Sequence, residues 1–236
     1  MKILIILFSI SIVSLAESLK GTAKNETGAV VYTEVHRVVR SSGGFTCTVA
    51  TTYYNPDGSK LGHLNSEFKE HLYIPDSQFE DLRFGRKYIG KVSKNGKKLV
   101  YQIDEFRGDK LVKSTEVELE DDLISGPGFD NFISEELIKQ KKAQRPVHFL
   151  VLPRHSSYRF TVSQIDSQDE ATRTYKIKPN ALLSLFIKDI VISYDGKTGI
   201  LKQYSGLSNL PAANDTAQNV VINYEKIDDL GSAKSD

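Results

Sequence analysis

Tyr32, Glu34 and His36 alternate within a segment rich in β-branched residues. A strand would turn all three to one side and Val31, Val35 and Val39 to the other. A phenol, a carboxylate and an imidazole on one face can hydrogen-bond a ligand, and these three are the predicted ligand-binding residues. Such a face can also lie wet or bond internally. The other histidines are His63, His71, His148 and His155, the last two flanking Pro153-Arg154. None stands four residues from another and no His-Glu-x-x-His occurs, so no metal site is predicted. Gly196-Lys197-Thr198 echoes the end of a phosphate-binding loop, but Val191 stands where its first glycine belongs and a strand follows. There is no Gly-x-Ser-x-Gly elbow. The acidic pairs Asp121-Asp122 and Asp228-Asp229 read as solvated loop charges. The chain is therefore read as non-enzymatic and without a cofactor. A His/Asp/Glu cluster gathered only by folding would escape this search and would revive catalysis.

Residues 1–16 read as a secretory signal peptide: Lys2, the apolar run Ile3–Leu15, then the small-x-small pattern Ser14-Leu15-Ala16. Its loss leaves 17–236 as a single β-rich domain with a frayed polar tail from 231 to 236. The whole chain carries 31 basic and 30 acidic side chains, and removing Lys2 balances them. Balance gives no electrostatic reason to expect nucleic acid as a partner. Cys47 is the single cysteine, so no intrachain disulfide can form. None stands at the cleavage point to take a lipid. This usage points to a bacterial envelope, periplasmic or secreted, with no membrane span once the leader is gone. Cys47 itself is expected to be a small buried side chain.

The elements that would position these residues are mostly strands. A polar stretch, Ser18 to Thr27, precedes a strand over Gly28–Arg40, and others are predicted over Phe45–Tyr54 and Lys60–Phe68. Asn55-Pro56-Asp57-Gly58 joins the last two as a turn. Lys87–Ser93 and Lys97–Phe106 form a hairpin whose Asn95-Gly96 suits a type I′ turn. Arg107-Gly108-Asp109 leads on to Lys110–Leu119. Asp130–Lys142 has helical spacing. Strands resume at Pro146–Leu152, Tyr158–Ile165, Thr172–Lys178, Ile190–Tyr194, Ile200–Tyr204 and Asn219–Ile227, while Asn180–Ile187 is ambiguous. About ten antiparallel strands must curl, split or close. The expected fold is mainly β: a large curved antiparallel sheet, half-barrel or barrel-like, with one central helix. A closed up-and-down barrel is the competing geometry.

Tyr32-Thr33-Glu34-Val35-His36 with Thr52-Tyr53-Tyr54-Asn55-Pro56-Asp57-Gly58 is similar to the first hairpins of uncharacterised bacterial envelope proteins. Tyr194-Asp195-Gly196, Tyr204–Asn209 and Val220–Tyr224 resemble their final strands. The pattern also resembles the curved half-barrels of periplasmic lipoprotein carriers and acceptors, which hold acyl chains against a helix-covered sheet. That resemblance implies lipid handling, without the acceptors' lipid-anchored cysteine. The function expected is a soluble periplasmic protein that binds a lipid-like or other apolar ligand in a concave sheet. The alternative is a structural or interaction module that docks another envelope protein.

Overall fold

The computed structural model describes residues 15–140, 143–167, 169–181, 184 and 187–228. The first run of strands is β1 (Leu15–Lys24), β2 (Val30–Arg40), β3 (Thr46–Tyr54), β4 (Lys60–Glu67), β5 (Asp76–Asp81), β6 (Arg86–Asn95), β7 (Lys98–Arg107) and β8 (Lys110–Glu118). A short β9 (Leu123–Ser125) then leads into a helical segment. That segment starts as α1 (Phe129–Phe132) and continues in the wider π winding from Ile133 to Lys139. The second run is β10 (Gln144–Val151), β11 (Ser156–Ile165), β12 (Thr172–Pro179), β13 (Ile190–Asp195), β14 (Leu201–Leu207) and β15 (Asn219–Ile227).

All fifteen strands among the described residues lie in one sheet, in the order β8-β7-β6-β5-β4-β3-β2-β1-β15-β14-β13-β12-β11-β10-β9. Two meanders therefore run outward from the middle, where β1 pairs with β2 on one side and β15 on the other. Pairing is antiparallel except between β9 and β10. Those two are parallel because the helical segment carries the chain back between them. The strands β8 and β9, consecutive in sequence, are the two edges of the sheet. The expected mainly-β curved sheet with a central helix is thus the fold, and the closed barrel is not.

The sheet curls until its inner faces meet. Tyr101 and Ile103 of β7 pack with Ile74, with Leu123 of β9 and with Leu150 of β10, although β7 and β10 lie near opposite ends of the strand order. A second cluster seats Leu210 among Tyr53, Phe79 and Tyr88. Leu210 is fully buried, and covering a leucine side chain stabilises by about 1.5–3 kcal/mol. Arg83 donates to the Pro211 carbonyl at 3.0 Å, and Arg86 pairs with Asp215. The loop before β15 is thereby tied to the opposite meander.

The helical segment lies against the inner faces of β10–β13, through Phe129, Phe132, Ile133 and Leu137. Its polar side reaches the other meander. The Asn131 side chain accepts from the Thr46 backbone N–H at 2.7 Å and donates to the Thr46 and Leu72 carbonyls, each at 3.0 Å. An amide that both accepts from and donates to one backbone unit imitates a strand rung. Asp130 accepts from Tyr194 at 2.6 Å and from Arg40 at 3.4 Å.

Several expectations are corrected. The stretch Ser18–Thr27 is not a polar lead-in, because β1 occupies most of it at the sheet's centre. Its alternation sets Leu19 and Ala23 into the interior, both buried, while lysines and glutamate dilute the pattern. The expected helix Asp130–Lys142 begins at Phe129 and winds as a π-helix to Lys139, with Gln140 N–H bonded to the Glu135 carbonyl at 3.2 Å. The β6–β7 turn is shifted by one residue: Asn95 pairs with Lys98, so Gly96 (φ +65°) and Lys97 are its central residues. A glycine first with φ > 0 and a second residue without it suit type II′ rather than I′. Cys47 is half-buried, its Sγ 3.7 Å from the Phe45 carbonyl. Residues 1–14 of the expected leader, the tail 231–236 and half of Asn180–Ile187 (182, 183, 185 and 186) lie outside the described residues. Leu15 and Ala16 begin β1, opposite Arg40 and Val39. Among the described residues no helix is long and apolar enough to cross a membrane.

A Cβ placed on Gly128 would overlap the Tyr73 carbonyl, because the start of α1 lies directly on the loop between β4 and β5. Gly128 has φ −82°, so the cost of alanine there is steric. Gly128→Ala is expected to destabilise by about 1–3 kcal/mol in urea denaturation, and an unchanged midpoint would contradict this packing.

Candidate binding site

Tyr32, Glu34 and His36 do share a face, and that face points inward. The β2 register sets Glu34 opposite Gly21 of β1 and Tyr53 of β3, and His36 opposite Leu19 and Thr51. Gly21 is required by this crowding: a Cβ there would stand 2.9 Å from Glu34 Cγ and 2.8 Å from Tyr224 Cε1.

Glu34 is 3 % exposed. Its Oε1 accepts from the Tyr224 hydroxyl at 2.5 Å and lies 2.8 Å from His36 Nε2. With the proton on Nε2 bonded to Glu34, His36 Nδ1 accepts from the Thr51 hydroxyl at 3.1 Å. Tyr32 bonds Ser208 at 3.0 Å. The hydroxyls of Tyr32, Tyr53, Tyr204 and Tyr224 all resist ionisation, first because they are buried and then because the Glu34 carboxylate repels a phenolate. The three predicted residues thus come together, and each already has a partner inside the protein. The pair Glu34–His36 resembles a base with its orienting carboxylate. Thr51 and Tyr224 bond it from two sides, which ties β2, β3 and β15 into one polar knot.

The remaining histidines disperse. His63 Nε2 lies 3.6 Å from Glu80. His71 Nδ1 accepts from the Tyr73 and Ile74 N–H groups at 3.1 and 3.2 Å, which shapes the β4–β5 loop. His148 and His155 do not form one site. His148 Nδ1 stands 3.3 Å from Glu120 and 3.2 Å from Asp122. These three side chains offer ligand atoms within 4.8 Å of one another and could hold a divalent cation at the β9 edge. Glu120 is exposed and the other two half-buried. Local spacing could not reveal this set, because the parallel pairing of Leu123 with His148 creates it.

His155 is buried at the seam between the meanders. It takes a left-handed backbone (φ 54°) after the 3-10 turn Leu152–Arg154. Its ring packs edge-on to Tyr88, and its Nε2 lies 3.3 Å from Glu105. Sequence spacing gave no sign of this Glu105–His155 pair. Burial, then Lys113, pulls the proton affinity of His155 below that of an ordinary imidazole, against the opposing pull of Glu105.

The phosphate-loop echo is a hairpin turn: Asp195 Oδ1 accepts from the Lys197 and Thr198 N–H groups at 3.1 and 2.8 Å. A groove of about 410 Å³ crosses β3 to β6, lined among others by Thr48, Asn65, Glu67, Gln78 and Lys91, and it lies open to solvent. No protein-family model matches this sequence, and no curated protein gives a significant match to it.

Tyr224→Phe removes a charge-assisted bond to a buried carboxylate and is expected to cost about 1–3 kcal/mol by urea denaturation. A change below the error of the measurement would show that the knot does not stabilise. The lowered His155 means the folded protein binds that proton less well than the unfolded chain. Stability is then complete above the ordinary histidine value of 6.5 and falls as pH drops below it. His63 and His71, lowered first by burial, act in the same direction. His155→Asn tolerates the left-handed backbone and removes one titrating group, so its loss of stability between neutral and mildly acidic pH should be shallower. An identical slope would exclude His155 as a source.

Proposed function

We propose that the chain is a non-enzymatic exported protein of the cell envelope that works as an interaction module through the β8 edge of its sheet. One observation carries this reading. β8 is exposed along most of its length on both faces, and among the described residues it has a strand neighbour on one side only. Leu111 and Val112 are 50 % and 47 % exposed. A long, open, partly apolar edge is what a sheet protein normally blunts, and it is the surface to which an extended partner strand adds. The opposite edge differs: β9 is three residues long and buried, and Ser125 N–H bonds the Tyr73 carbonyl at 3.2 Å. A photo-crosslinking side chain at Leu111 should give discrete protein adducts in cells, and one at Glu225, exposed on β15, should not. No adduct from Leu111 at normal expression would contradict the reading.

A second reading is favoured by the gap between β8 and β9. Because the sheet is not closed there, the two meanders could part and admit a lipid-like or other apolar ligand between their inner faces. Three packed side-chain clusters occupy that space, which supports the first reading over this one. Mass spectrometry of organic extracts from natively purified protein separates them: a stoichiometric lipid supports the second, and its absence supports the first.

A further inference from the structure

We propose that Glu120, Asp122 and His148 bind one divalent cation of the zinc class, where the chain crosses from one edge of the sheet to the other. The inference does not rest on the reading of β8 as a docking edge. β8 ends at one edge and β9 begins at the other, so the link Leu119–Asp122 spans the gap between them. At its start Leu119 N–H bonds the Leu99 carbonyl at 3.0 Å, and at its end the Asp122 carbonyl accepts from the His148 N–H at 2.9 Å. His148 itself lies on a strand paired on both sides. All three side chains thus leave backbone that is anchored before any ion arrives, which lowers the ordering cost of binding.

Two carboxylates converge on one ring nitrogen. His148 Nδ1 lies 3.2 Å from an Asp122 oxygen and 3.3 Å from a Glu120 oxygen. Only the Asp122 contact is a hydrogen bond, since an N–H aimed at one acceptor is turned from the other. The Glu120 carboxylate is therefore brought up to the nitrogen with no proton to share. Both separations are those of atoms around a common ion: with metal–ligand bonds of about 2.1 Å, neighbouring ligand atoms at about 90–110° stand about 3.0–3.4 Å apart.

The charge on the link is uncompensated as well. Asp121 stands between the two ligands in sequence, so three consecutive residues carry carboxylates. Among the described residues none of the three pairs with a lysine or arginine, and His148 is the one base that Glu120 and Asp122 meet. The imidazole selects the class of ion. One nitrogen with two carboxylates suits Zn2+ and its first-row neighbours, whereas Ca2+ and Mg2+ take oxygen ligands. Three protein ligands leave the rest of the sphere to water. An ion held there ties the link to β10 and pins the crossing at the open side of the sheet.

Isothermal titration calorimetry of the purified chain, free of any histidine tag, stripped with a chelator and titrated with Zn2+, tests the site. One saturable equivalent is expected. His148→Gln and Glu120→Gln should each weaken binding by about tenfold or more. Glu120 is exposed, so Glu120→Gln decides the matter should His148→Gln fold poorly by circular dichroism. His63→Gln, which removes the imidazole beside Glu80, should leave the affinity unchanged. Zinc should also slow hydrogen exchange of Leu119–Ser125 in the wild-type chain, because an ion that binds only the folded link opposes its opening. No saturable binding, an affinity indifferent to both ligand variants, or binding that leaves the exchange of this segment unchanged overturns the proposal. Ca2+ that binds as tightly as Zn2+ and ignores His148→Gln would overturn it too, by showing an acidic patch that attracts any dication.

Discussion

The double pairing of β1 holds this structure together. It pairs ten residues, Leu15–Lys24, with β2 and lays seven of them, Ser18–Lys24, between β2 and the final strand β15. Without it the two meanders would be separate sheets, each with one bare face and two open edges. With it they become one surface, and the accumulated twist of fifteen strands brings its ends round. Everything inside follows from that curl. Tyr101 meets Leu150, Leu210 finds its seat between Tyr53 and Phe79, and the helical segment is enclosed by strands from both meanders.

The interior so formed also holds polar groups, several of them placed where they fix geometry. Glu34, His36, Thr51 and Tyr224 join β2, β3 and β15. Arg40, Asp130 and Tyr194 run from β2 through the helical segment to β13. Asn131 supplies a rung that β3 lacks at Thr46. Burying such groups without partners costs more than an apolar core would, so a satisfied network specifies one arrangement over its near alternatives. The same satisfaction means that the site suggested by Tyr32, Glu34 and His36 has its hydrogen bonds directed at the protein itself. The cluster Glu120, Asp122 and His148 instead lies on the rim, at the β9 edge.

What the sequence reveals is what depends on neighbours a few residues apart. Hairpins announce themselves through turn residues, as at Asn55–Gly58, where Gly58 takes φ +88° and its N–H returns to Asn55. The shared face of Tyr32, Glu34 and His36 follows from the period of a strand alone. β1 is hidden because its inner face mixes Glu17 with Leu19, Gly21 and Ala23, and Gly21 is there to leave room for Glu34 and Tyr224. Its partner β15 lies at the far end of the chain, beyond any local signal. β9 is three residues long, and its parallel pairing assembles Glu120, Asp122 and His148 from distant positions. The π winding of Ile133–Lys139 is likewise set by what it packs against, since the helical spacing of its apolar residues suits an ordinary helix equally well.

Hydrogen–deuterium exchange of the purified protein, followed by mass spectrometry, tests the central position of β1 most directly. Amides of Ser18–Lys24 bonded between β2 and β15 should exchange as slowly as those of β13 and β14, through global unfolding alone. Fast exchange in that segment, with the two meanders still protected, would show that the sheet is not joined through β1 and would contradict the account.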